Sequence, residues 1–138
     1  AEAFEGKLLP NEILITSDTI VWYKDKALGK PKDAQDAFNI LKSLSNATHE
    51  VITSVCFKTK EDTKLLHEVT KVTFNELSDE SIRYYIEKYK PFDKAGAYGI
   101  QGLAGTLIKR IEGSYSGVMG LPIYETAQLL SQAGIRIL

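Results

Sequence analysis

Between Asp33 and Lys58 the spacing of apolar residues changes period, and that change limits the fold more than any other feature of the chain. Ala34, Ala37, Phe38, Leu41 and Leu44 recur at the helical spacing of i, i+3, i+4, i+7 and i+10. A few residues later Val51, Thr53, Val55 and Phe57 alternate with Ile52, Ser54 and Cys56, a period of two that marks a strand from Thr48 to Lys58. A helix followed at once by a long strand, each with one apolar face, needs a layered α/β core. The rest of the chain extends the pattern. Residues 12–16 read as a short buried strand leading to Ser17-Asp18-Thr19, and 20–23 with 26–28 read as a hairpin around Lys24-Asp25. Leu65 to Phe74 reads as an antiparallel return. Ser78 is placed to cap a helix whose stripe is Ile82, Tyr85, Ile86 and Tyr89, stopped by Pro91. A strand at 106–112 and a helix at 121–132 complete one domain with a mixed or largely antiparallel sheet over residues 1–138.

Charge and composition remove several function classes. The formal net charge is -1 with a pI near 6.2, so no basic field marks a duplex-binding protein. No apolar run approaches the roughly 20 residues that span a bilayer, and the first residues lack the apolar stretch of a signal peptide. The single cysteine, Cys56, allows no disulfide framework and points to a reducing, cytoplasmic setting. Cys56 itself reads as a buried small hydrophobe. His49 and His67 lack any metal-ligand spacing, and His49 reads as a hydrogen-bonded structural residue. Tyr84, Tyr85 and Tyr89 read as helix packing.

Three segments place charge where a core has no use for it. Asp18 stands at the end of an apolar strand, the position at which open α/β proteins gather their sites. Lys30, in Leu28-Gly29-Lys30-Pro31, is aimed by a glycine and a proline. Asp93 to Gly102 combines five glycine or alanine positions with Asp93, Lys94 and Gln101, a carboxylate, a cation and an amide around room for a ligand. Neither GxxxxGK[ST] nor GxGxxG occurs.

The same segments resemble the Maf family of nucleoside triphosphate pyrophosphatases. Ser17-Asp18-Thr19-Ile20-Val21 is similar to the family's (A/S)DTxV, Leu28 to Asp33 to its LGKPxD, and Thr48 to Thr53 to its THxVxT. Asp93 to Gly102 matches its DKAGAYGIQG, followed by Ile111 to Tyr115 and Gly120-Leu121-Pro122. The resemblance implies an α/β fold related to the inosine triphosphatases, with two lobes around a nucleotide cleft. It implies hydrolysis to a monophosphate and pyrophosphate with a divalent metal, Mg or Mn, and the DT and YGIQG forms resemble the branch acting on dTTP and UTP. By position, Asp18 would be the proton acceptor, Lys30 and Lys94 would hold phosphate oxygens, and Thr19 and Gln101 would govern base choice. Asp93, with Asp18, would face metal or water. A homodimer is the default expectation. The family's opening βα portion, with its SxSPRR loop, has no counterpart here, so one side of the cleft is expected to be open and a sheet edge exposed. The alternative is a non-catalytic nucleotide-binding or interaction module linked to cell division. The approach of Asp18 to Asp93 is expected to perturb a carboxylate.

Overall fold

The structure, a computed structural model, describes residues 1–4 and 6–138. Its strands are β1 (Leu14–Tyr23), β2 (Lys26–Leu28), β3 (Thr48–Lys58), β4 (Thr63–Phe74) and β5 (Ile108–Glu112). Its α-helices are α1 (Ala34–Leu44), α2 (Asp79–Tyr89), α3 (Tyr115–Met119) and α4 (Ile123–Gln132). Among the described residues the strands form one sheet in the order β2-β1-β3-β4-β5, and every pairing is antiparallel. The sheet is therefore antiparallel, not mixed. Lys24 (φ 48°) and Asp25 (φ 59°) both take left-handed backbone, as the two-residue turn between β1 and β2 requires.

Local chemistry fixes the helix ends. Asp33 caps α1 by accepting from the Asp36 N–H at 2.8 Å, and Ser78 caps α2 by accepting from the Ser81 N–H at 3.1 Å. Lys90 closes α2 in a left-handed turn (φ 46°), its N–H donating to the Ile86 carbonyl, and Pro91 follows.

Period two decides which side of the sheet is inside. His49, Val51, Thr53, Val55 and Phe57 are all buried. Across the register their neighbours are Val21 and Thr19 on β1 and Thr70 and Val72 on β4, which share that face. Val21, Val51, Val72 and Phe74 join Leu41, Leu44, Ile82 and Tyr85 in one core, so α1 and α2 pack on this face. The opposite face carries Ile20, Leu65 and Val69 in exposed positions, with Ile52 and Cys56 half-buried between them. Cys56 thus lies on the open side of the sheet rather than in the core. Phe38, expected to be buried, is only half-buried, its ring covered at 4.4 Å by the guanidinium of Arg83 on α2. On α2, Tyr85 is buried and stacks on Tyr89, while Tyr84 and Tyr89 are exposed.

His49 is the one imidazole inside this core. Its Nε2 lies 2.6 Å from the Tyr98 hydroxyl, and the His49, Phe74 and Tyr98 rings meet edge to face. Nδ1 is buried without a partner, and burial lowers the His49 pKa from 6.5 to about 4. Between these values the unfolded chain binds a proton that the folded chain refuses, so stability is expected to fall as pH drops from 6.5 to about 4. A shift of this size corresponds to roughly 3 kcal/mol, at about 1.4 per unit. Urea unfolding of wild type and His49→Gln across this range tests it: the variant should lose most of the slope, and an unchanged slope would clear His49.

Candidate functional site

Gly96 and Ala97 bring the glycine-rich segment against the sheet. Both take left-handed backbone (φ 71° and 61°), and a Cβ on Gly96 would come within 3.1 Å of both Val21 methyl groups. The Gly96 N–H donates to the Gly29 carbonyl at 3.1 Å, which sets the turn carrying Lys30 beside Asp93-Lys94. Tyr98 points inward to His49 and anchors the far end of the segment. Three stretches distant in sequence are thereby held side by side.

They surround a cavity of about 320 Å³, within the usual range for a small-molecule site. Asp18, Thr19, Lys30, Asp93, Lys94 and Gln101 all line it. A larger, shallower groove of about 880 Å³ runs along α2 past Glu76, Glu80 and Glu87, where acidic groups prevail and no pair of cations converges. Anion chemistry therefore favours the smaller cavity.

Asp18 is placed differently from its sequence expectation. It stands in the middle of β1, opposite Ser54, not at the strand's end. It can still reach the cavity because β2 pairs with β1 only at Val21–Tyr23. Among the described residues the flank of Leu14–Ile20 away from β3 has no strand partner. There the Thr19 N–H donates to Asp18 Oδ1 at 2.9 Å, holding the exposed carboxylate at the rim. Lys94 Nζ pairs with Asp93 Oδ2 at 3.1 Å, and both side chains are exposed. That hydrogen bond, with the charges of Lys94 and Lys30, holds Asp93 below the usual carboxylate range despite some desolvation. The shift is downward and cation-driven, so repulsion between Asp18 and Asp93 does not account for it.

Sequence reasoning gave the floor and far wall no role in the site. Val51 and Tyr98 line the cavity from the core side, and Val118, Met119 and Gly120 close it from α3. Ser114 caps α3 by accepting from the Gly117 N–H at 2.9 Å. Two sheet hydroxyls tie α3 down: Ser17 Oγ donates to the Gly120 carbonyl at 2.5 Å, and Thr53 Oγ1 to the Gly117 carbonyl at 2.6 Å. In the sequence this wall was signalled by Thr53, a hydroxyl on the buried face of β3, and by the Gly120-Leu121-Pro122 match. His67 pairs with Ser54 at 2.7 Å instead of joining the cavity lining. Among the described residues no group of three or more His, Cys, Asp or Glu side chains could hold a metal, and no helix is long and apolar enough to cross a membrane.

The family described as "Maf-like protein" matches residues 1–133. A dTTP/UTP pyrophosphatase of Flavobacterium johnsoniae is 65% identical over 132 residues, covering 95% of this chain and 68% of that protein. The protein of the same name from Flavobacterium psychrophilum is 62% identical over 123 residues, covering 88% and 63%. That from Bacteroides fragilis is 48% identical over 133 residues, covering 96% and 69%. The chain thus spans about two-thirds of the length of these curated relatives.

Proposed function

The chain belongs to the Maf-like protein family, and from that premise we propose that it hydrolyses dTTP and UTP to the nucleoside monophosphate and pyrophosphate. The observation that carries the reading is the convergence of Asp18, Lys30, Asp93 and Lys94 on one cavity of small-molecule size. Its relatives' printed names, dTTP/UTP pyrophosphatase, supply the substrate class. The cytoplasm is the proposed setting, where the free thiol of Cys56 stays reduced.

In this reading Lys30 and Lys94 hold phosphate oxygens as point charges, each charged hydrogen bond contributing about 1.5–3 kcal/mol. Lys94 exchanges Asp93 for phosphate as the substrate enters. The Asp18 carboxylate, held at the rim by the Thr19 N–H, takes the proton of the attacking water. The water's hydroxyl bonds to phosphorus, and the bridging oxygen leaves with the electron pair as part of pyrophosphate. Asp18 and Asp93 supply carboxylate oxygens to the same cavity, the ligand type that Mg or Mn takes alongside phosphate and water, so the donor set fits such an ion. The chemistry a divalent ion supplies at such a site is withdrawal of charge from the phosphate oxygens.

The test is pyrophosphate release from dTTP and UTP with Mg or Mn, compared with CTP and GTP. Release is expected from the first pair well above the second. Tight binding of all four without any release would reject the hydrolytic reading.

A further inference from the structure

We infer that Thr53 is a positioning residue that sets base preference, by fixing the direction of the Thr19 hydroxyl so that Thr19 offers the ligand only acceptor lone pairs. The inference rests on the nucleotide reading above and names what in the cavity reads the base.

The number of hydroxyl protons fixes the direction of each hydrogen bond in this pair. Thr53 is 1% exposed, so no bulk water competes for its hydroxyl. Its Oγ1 lies 2.6 Å from the Gly117 carbonyl oxygen, and two oxygens at that separation need a proton between them. A carbonyl has none to give, so the single Thr53 proton is committed to Gly117. Thr53 Oγ1 also lies 2.9 Å from Thr19 Oγ1. With the Thr53 proton already used, the proton on that second contact must come from Thr19. Thr19 therefore donates inward to Thr53, and the lone pairs of its hydroxyl remain for the cavity it lines.

The relay is held at its far end. The Ser114 cap and the Ser17 hydrogen bond to Gly120 fix α3 on either side of Gly117, so its carbonyl cannot turn away to release the Thr53 proton. Gln101, the other polar group of the cavity placed for base recognition, is exposed and carries both a donor and an acceptor on one amide. A carboxamide can turn over to suit either base. Thr19 cannot.

An obligate acceptor recognises a ring N–H. Uracil and thymine carry one at N3, flanked by two carbonyl oxygens that the Gln101 amide can serve. Cytosine presents a lone pair at N3, which would meet the Thr19 lone pairs with no proton between them. An unmatched polar contact of this kind weakens binding by about 10- to 100-fold.

The experiment measures calorimetric affinities for the α,β-imido triphosphates of uridine, cytidine and N3-methyluridine, which cannot be hydrolysed at the bond in question. Wild-type protein is expected to bind the uridine compound about 10- to 100-fold tighter than the other two. Thr53→Val keeps the shape but frees the Thr19 proton to turn toward the cavity, so the uridine-to-cytidine ratio should fall by about 10-fold. Thr53→Ser keeps the relay and should retain the ratio. A folded Thr53→Val protein with the wild-type ratio overturns the inference, as does equal binding of uridine and cytidine compounds by wild type. If Thr53→Val fails to fold, the unaltered protein decides: N3-methyluridine triphosphate bound as tightly as its parent overturns the relay. Failure of wild type to bind any of the three would instead reject the nucleotide reading itself.

Discussion

Asp18→Asn is expected to lower turnover of dTTP and UTP by roughly 10²–10⁴-fold, the usual loss when a general base is removed. Asparagine is nearly isosteric, and its side-chain oxygen can still accept from the Thr19 N–H that orients Asp18 in the native protein. It cannot take a proton from water. The side chain is exposed, so no buried contact is lost, and the change in stability should stay within about 0.5 kcal/mol. Steady-state pyrophosphate release and urea unfolding on the same preparation separate the two effects. Near-native turnover in a folded Asp18→Asn protein would remove this carboxylate from the proton transfer. Another rim group, with Asp93 the first candidate, would then have to be considered.

Leu41→Ala should carry the largest cost to the fold, about 2–5 kcal/mol. Leu41 is fully buried, one turn from Ala37 and Leu44, which are equally enclosed, and it shares their core with Val51 and Val72 of the sheet. Phe38→Ala is expected to cost less despite removing more atoms, because that ring is half-exposed under Arg83. A cation–π contact at such an exposed site contributes about 0.5–1 kcal/mol. Denaturant midpoints of the two variants provide the check. A larger loss from Phe38→Ala than from Leu41→Ala would mean that the helix is seated on the sheet by a different face.

The elements legible in the sequence were those whose causes are local. The strand Thr48–Lys58 was legible because the period of two across Val51 to Phe57 marks a strand, and burial alternates along all of it. The cap Ser78 was legible for the same reason, since a capping side chain acts within three residues of itself. Elements set by distant contacts were not legible. α3 is only five residues long and is held by Thr53, Ser17 and Thr70, which lie between 44 and 103 positions away. Ser17-Asp18-Thr19 suggested the end of a strand because polar residues interrupt an apolar run. β1 continues through them, since on an edge those positions face the cavity and the rim rather than the core. The site residues were recognised from short motifs, and the Gly96 to Gly29 hydrogen bond holds two of those motifs side by side.

Among the described residues Leu14–Ile20 has no strand partner on one flank, which has a consequence for how the chain behaves in concentrated solution. Unpaired strand edges are templates for intermolecular pairing, and a charged side chain is a common safeguard against it. Across Leu14–Tyr23 the sequence LITSDTIVWY contains a single charge, and it is Asp18. The carboxylate proposed to take a proton during hydrolysis is thus also the gatekeeper of an otherwise neutral, β-prone ten-residue segment. Asp18→Asn should therefore scatter more light than wild type at the same concentration. The pressure to keep an acid at this position would then come from colloidal stability as well as from chemistry.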